Sequence, residues 1–391
     1  MPDFLKSAKA SFEYTQTFRR DFHKHPELGF EEVRTAGIVS RELNTLGLEI
    51  RTGVAQTGVV ATLVCKEPGP VVLLRFDMDA LPINEETGAE YASQNPGVMH
   101  ACGHDGHTAI GLTVARMLHE EREHLYGTVK LVFQPAEEGL GGAQRMVAEG
   151  VLDAPKPDIC LAMHLWNIKP LGWIGVTPGP TMAASDTLHI KVKGRGGHGA
   201  YPQLTADPIY AAAAIINSLQ SIVSRNVPPL ESAVVSVTTI HGGEAHNVIP
   251  EEVEMQGTIR TFNTDVRELV HHRIQAIVTD IAGGFNCQAN TEIYEVTPAI
   301  VNDPGISAEV QEAAKELLPE DVLNTTSQTM GSEDMSFMMK DIPGCYFFVG
   351  SANPSKGFDV PHHHPKFDFD EDALPKAAAL MATAAAKFLK A

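Results

Sequence analysis

The chain has 391 residues, 43% of them apolar, which supports real cores and exceeds the length at which one core usually stops growing. Forty-nine acidic residues against 30 basic ones leave a formal charge of -19, which repels phosphate backbones and anionic lipid, so nucleic acid and membranes are not expected partners. Cys65, Cys102, Cys160, Cys287 and Cys345 are odd in number and widely spread, which predicts a reducing cytoplasmic setting and no disulfide framework.

The N-terminal stretch lacks a basic region followed by an apolar core, and no apolar run approaches the length of a membrane span, so neither export nor insertion is expected. Residues 4–48 show helical spacing broken at His25-Pro26 and ending at Gly47. Three short apolar runs, 71–76, 129–134 and 159–164, are bounded by Gly or Pro and read as buried strands. Between the first two, Ile110, Val114, Met117 and Leu118 mark a helix that Asp105 is placed to cap. Strand, helix and strand in that order predict an α/β sheet.

From about Ser185 the pattern changes. Leu188, Ile190 and Val192 alternate as a strand, followed by an alanine-rich helix over 206–223, strands over 235–240 and 253–259, a helix over 266–281 and a strand over 288–296. That βαββαβ order predicts a ferredoxin-like α+β domain inserted into a larger one. The expected division is 1–184 with 298–391, and 185–297 as the insert. The earlier pattern resumes with a strand over 345–349 and a helix over 373–389.

The densest chemistry is His100-Ala101-Cys102-Gly103-His104-Asp105-Gly106-His107, directly before the helix. Cysteine and histidine two apart cannot share a helix face, but a glycine turn lets them converge. The second run leads into Gln134-Pro135-Ala136-Glu137-Glu138, the third ends in His164, and the first enters Asp77-Met78-Asp79. Parallel strands would gather these groups along one carboxyl edge, where open α/β sheets carry their sites. Val360-Pro361-His362-His363-His364-Pro365 could close the same site. Thiolate, imidazole and carboxylate together predict two divalent ions, with zinc favoured and manganese, cobalt or nickel as alternatives.

These segments, with Arg19-Arg20-Asp21-Phe22-His23-Lys24-His25-Pro26-Glu27-Leu28-Gly29-Phe30, Gly331-Ser332-Glu333-Asp334 and His363-His364-Pro365-Lys366-Phe367-Asp368, closely resemble the amidohydrolase branch of the aminoacylase and carboxypeptidase G metallopeptidases. That branch includes hippurate and auxin-conjugate hydrolases. The resemblance implies a zinc-peptidase-like catalytic domain with the insert as lid and dimerisation domain. It also implies Cys102, His104, Glu138, His164 and His363 as metal ligands, Cys102 bridging two ions, and Glu137 as general base. His198, in Gly194-Arg195-Gly196-Gly197-His198-Gly199, matches a histidine that polarises the scissile carbonyl and in relatives crosses a homodimer. Asn247 and Arg260 match positions that hold a substrate carboxylate, and Asp79 is expected to orient the ligating groups. The wider family has His-x-Asp on the first strand where this chain has Asp77-Met78-Asp79, so that ligand set does not transfer whole.

The function expected is hydrolysis of small N-acyl amino acids such as hippurate. A dipeptidase or carboxypeptidase would use the same machinery. A cysteine-nucleophile amidase built on Cys102 would survive a chelator. A purely metal-binding protein would have no use for Glu137 beside Glu138. A phosphate loop at Gly194–Gly199 is disfavoured by the missing Lys-Ser/Thr.

Overall fold

The computed structural model describes residues 2–390, so Met1 and Ala391, the outermost residues of the expected first domain, lie outside the described residues. The chain forms two compact units. One comprises Met1–Thr181, Val301–Gln328 and Asp334–Ala391, and the other Met182–Ile300 with Thr329–Glu333.

In the first unit, the helices Phe4–Ala10, Phe12–Lys24 and Val33–Thr45 precede any strand. Pro26 disfavours helix at His25, which ends the second of them. An eight-stranded sheet follows, in the order Glu49–Val54, Gly58–Val64, Tyr126–Gln134, Lys66–Asp77, Ile159–Pro170, Gly344–Ala352, Trp173–Gly175 and Val322–Asn324. The middle four are parallel. Asp77 stands level with Gln134, and Phe348 with His164, so the carboxyl ends carry the polar groups.

Two local expectations change. His164 is mid-strand, because Ile159–Pro170 keeps pairing with Gly344–Ala352 as far as Pro170, beyond the last pair with Lys66–Asp77 at Ala162. Asp105 does not cap the helix His104–Glu120. Gly103 does so with φ 88, and Asp105 lies in the first turn with its carboxylate engaged elsewhere. That helix is buried on nearly every side, against the sheet and against the helices Phe12–Lys24 and Ala373–Phe388. The alanines of Ala373–Phe388 let backbones approach closely there.

The second unit has the strands Ala184–Lys193, Ala233–His241, Glu252–Thr261 and Gln288–Thr297 and the helices Pro208–Ser221 and Thr264–Gly284. Its antiparallel sheet runs second, third, first, fourth, the ferredoxin-like order. Glu252–Thr261 alternates exposed and buried, as expected of a sheet covered on one face. The alanine-rich helix begins at Pro208 because Asp207 accepts the Ile209 and Tyr210 N–H groups. A short pairing of Gly197–His198 with Val248–Ile249 was not expected, nor was the return of Thr329–Glu333 to this unit. Among the described residues no helix is long and apolar enough to cross a membrane.

A buried ionic cluster ties the first unit's distant segments together. Arg19, wholly buried, donates to Asp105 (3.0 Å), Asp368 (2.6 Å) and Glu371 (3.2 Å). His23 lies 2.7 Å from Asp105 and 3.3 Å from Glu85. Burial alone would depress His23, but Asp105 and Glu85 overcome it and raise its pKa from 6.5 to about 9. Because the folded value is raised, the stabilisation is complete below pH 6.5 and disappears as pH rises through about 9. Thermal melts from pH 6 to about 10 should therefore show wild type losing up to about 3 kcal/mol more than His23→Gln. Parallel profiles would remove His23 from the charge balance.

Candidate metal centre

The turns at the sheet's carboxyl edge explain how separated residues meet. Pro135 ends the strand Tyr126–Gln134, and Ala136 then adopts φ 55, a left-handed conformation costing roughly 1–3 kcal/mol in a non-glycine residue. Glu137 and Glu138 follow. Gly103, with φ 88, turns the chain between Cys102 and His104 so that both side chains reach one place. The His363 N–H donates to the Ala101 carbonyl at 2.8 Å, drawing the C-terminal loop to Cys102, and His363 is itself left-handed with φ 63.

Ligand-capable atoms of Cys102, His104 and His164 all lie within 4.8 Å of one another, as do those of Cys102, Glu138 and His363 and those of His104, Glu137 and Glu138. Cys102 is common to the first two groups and sits where it could bridge. Its Sγ is 3.4 Å from His164 Nε2, and His363 Nε2 is 3.1 Å from Glu138 Oε1.

Hydrogen bonds sort the histidines by which nitrogen remains available. His164 Nδ1 donates to the Leu165 carbonyl (2.6 Å), leaving Nε2 toward Cys102. His104 Nδ1 faces the Asp79 carbonyl (3.0 Å) and Oδ1 (3.2 Å), and its buried Nε2 has no hydrogen-bond partner. His107 is used at both ends, with Nδ1 on Asp77 (2.6 Å) and Nε2 accepting the Leu165 N–H (2.9 Å). His362 Nε2 goes to the Leu165 carbonyl (3.0 Å) and His364 Nδ1 accepts the Lys366 N–H (3.0 Å), so of the three consecutive histidines His363 is the one facing Glu138.

Asp79 receives the Glu138 N–H on Oδ2 (2.9 Å) while holding His104, so one carboxylate orients two of the converging segments. Asp77, where the wider family has histidine, is taken by Arg75 (2.6 Å) and His107. The Arg75 and His107 contacts were missed in the sequence. Arg75 lies only two residues from Asp77, but nothing local marks it as buried.

Burial, reinforced by Glu138, Glu137 and Asp77, pushes the Cys102 thiol well up; the sulfur is enclosed although the residue is partly exposed. Burial, with His107 and His362 nearby, keeps His164 neutral and its lone pair available. Burial would depress His104, but Asp77 and Asp79 overcome it and raise its pKa from 6.5 to about 10, while its buried Nε2 has no hydrogen-bond partner. With the Glu137 and Glu138 carboxylates and the Cys102 thiol converging there, the set fits divalent cations, which would take the place of that proton's positive charge.

The second unit gathers its own set. His198 and Asn247 are brought together where Gly199 N–H donates to the Asn247 carbonyl (2.7 Å), and both residues are exposed. His198 Nδ1 accepts the Ala200 N–H (3.0 Å), so a neutral ring carries its proton on Nε2. Arg260 stands opposite Ser185 and uses Nη1 on the Ser185 and Thr258 hydroxyls. Among the described residues its Nε and Nη2 have no hydrogen-bond partner, which leaves an edge of the guanidinium for a planar anion.

Residues 73–387 match the profile of peptidase family M20/M25/M40. An N-acetylcysteine deacetylase of Bacillus subtilis is 41% identical over 361 residues, covering 92% of this chain and 93% of its own. Thermostable carboxypeptidase 1 of Saccharolobus solfataricus is 39% identical over 374 residues, covering 95% and 94%. The crystal structure of the Bacillus subtilis YXEP protein, described as a dinuclear metal binding peptidase, matches with a TM-score of 0.85 at 37% identity over 97% of this chain and 99% of that one. With most of its length matched by the family profile and by full-length relatives, the chain belongs to peptidase family M20/M25/M40, in the amidohydrolase branch, and is a hydrolase.

Proposed function

We propose that this hydrolase cleaves the amide bond of small N-acyl amino acids, hippurate-like compounds among them, releasing a carboxylic acid and an amino acid. The observation that carries the reading is the convergence of Cys102, His104 and His164 and of Cys102, Glu138 and His363 beside Glu137. Cys102, His104, Glu138, His164 and His363 would hold two divalent ions, zinc by donor softness, with manganese, cobalt or nickel as alternatives. When bound, such ions supply Lewis acidity and lower the pKa of water from about 15.7 toward roughly 7.

In this reading Glu137 takes the proton of the attacking water and delivers it to the departing amine nitrogen. His198 donates from Nε2 to the developing oxyanion. Arg260 and Asn247 hold the substrate carboxylate, and Asp79 keeps His104 and Glu138 in place. The residues 1–184 with 298–391 act as the catalytic domain and 185–297 as lid and dimerisation domain. A homodimer through the latter is supported by its exposed Tyr201, Leu204, Tyr210 and Ile240. A cytoplasmic setting is supported by five unpaired cysteines. The carboxypeptidase relative favours a second reading, peptide cleavage by the same groups. Turnover of a panel of N-acetyl and N-benzoyl amino acids against dipeptides, with metal-reconstituted protein, decides between them. Faster dipeptide cleavage would reverse the order.

Glu137→Gln should keep its metal content and lose about 10²–10⁴-fold in kcat, because the amide preserves shape and accepts no proton. Elemental analysis beside turnover checks this, and near-normal kcat would end the base assignment. Cys102 should resist alkylation in metal-loaded protein and label after chelation, and equal labelling would exclude it as a ligand. Arg260→Ala should abolish most of the preference for a free acid over its primary amide, worth roughly tenfold or more. An unchanged ratio of kcat/KM would place the carboxylate elsewhere.

A further inference from the structure

Between the helices Phe12–Lys24 and Val33–Thr45 lie Glu27, Glu31 and Glu32. Glu32 is the residue immediately before the second helix, where a carboxylate ordinarily accepts N–H groups from its own first turn. It makes no such bond. Glu27 does that work from five residues upstream, its two oxygens accepting the Arg34 N–H (2.9 Å) and the Thr35 N–H (2.8 Å).

Glu32 instead reaches the turn that carries Glu137. Its Oε1 accepts the Ala136 N–H at 2.8 Å, and its Oε2 accepts the Thr57 hydroxyl at 2.5 Å. The carboxylate is wholly buried, and burial lifts its pKa from 4.5 to about 7 despite the Thr57 bond. No lysine or arginine forms an ion pair with it among the described residues. Holding an ionisable group in such a place works against stability, so its retention calls for another benefit.

Ala136 is where that benefit would arise. Its left-handed φ of 55 is enforced from several sides at once. A Cβ on Gly29 would lie 3.0 Å from both Cα and Cβ of Ala136, so Gly29 lies directly against it. Gly142 donates its N–H to the Ala136 carbonyl at 3.0 Å, and a Cβ there would come within 1.7 Å of the Pro135 oxygen. The Glu32 bond adds a directed contact to the Ala136 N–H, a single residue before Glu137.

We infer that Glu32 is a positioning residue for catalysis: by accepting the Ala136 N–H it locks the left-handed turn and thereby sets the direction of the Glu137 carboxylate. The inference rests on Glu137 being the general base. Gln at position 32 preserves an acceptor oxygen for Ala136, and the Thr57 hydroxyl can turn from donor to acceptor toward the new amide. Ala leaves the N–H without a partner and frees the turn.

The test is a double-mutant cycle on full-length, metal-saturated protein, using the N-acyl amino acid that wild type hydrolyses fastest. Glu32→Ala should lower kcat roughly 10- to 100-fold with KM within about threefold, since small misplacements of a reacting group cost that much. Glu32→Gln should restore kcat to within about threefold of wild type. In a Glu137→Gln background Glu32→Ala should cost less than about threefold more, because the group it positions is already disabled. Equal losses in both backgrounds would show general damage and overturn the inference, as would an unchanged kcat in Glu32→Ala. If Glu32→Ala does not fold, Glu32→Asp, one methylene short of the Ala136 N–H, takes its place in the same cycle. A Glu137→Gln variant that keeps full turnover would sink the base assignment and this inference together. A Glu137→Gln loss with no Glu32 effect would sink the inference alone.

Discussion

Buried negative charge is the constraint on which this structure turns. Asp77, Asp79, Asp105 and Asp334 are all essentially inaccessible to water, and no fold holds such groups without local compensation. Arg75 answers Asp77 and Asp334, Arg19 and His23 answer Asp105, and His104 and the Glu138 N–H answer Asp79. Several of these pairings fix segments that carry a ligand candidate. Asp105 is the neighbour of His104, Asp79 grips both His104 and Glu138, and Asp368 lies five residues beyond His363. Cys102 and Glu138 are the groups a divalent ion would draw into this arrangement, the thiol by favouring loss of its proton. The architecture of salt bridges and the proposed centre are thus parts of one electrostatic arrangement.

Much of this was readable from the residues themselves. The three apolar runs are parallel neighbours as expected, and His100 to His107 does enter a helix through a glycine turn. The βαββαβ order was legible because alternation and alanine-rich helices are local signals, and its antiparallel sheet has the predicted type. What could not be read was partnership across long separations. Arg19 looks like any surface arginine on an amphipathic helix, yet its carboxylates lie 86, 349 and 352 residues away. Asp105 has the look of a helix cap for the same reason, since nothing local shows that Arg19 and His23 claim its oxygens. His164 resembled a strand end because the added pairing that prolongs its strand comes from Gly344–Ala352.

Glycine and strain show how a loop can be both tight and exact in direction. Ala136 and His363 are non-glycine residues in the left-handed region, and each lies within two residues of Glu138 or is itself a ligand candidate. Conformations that a free peptide avoids persist where surrounding contacts determine them many times over. The hydrogen bonds from Ala136 to Glu32 and from His363 to Ala101 are such contacts.

The pairing of Ile159–Pro170 with Gly344–Ala352 has a consequence for how the molecule comes into being. Contacts between these strands join residues as much as 184 positions apart, as in the pair Gly344 and Cys160, with the whole βαββαβ unit synthesised in between. During translation the first strands emerge with one edge of the central sheet unoccupied, while the intervening unit contains everything its own core requires. The buried guanidinium of Arg19 must likewise wait for Asp368 and Glu371 near the C-terminus. Completion of the eight-stranded sheet is therefore deferred until Gly344–Ala352 has been synthesised, and His363 arrives last among the residues that gather around Cys102.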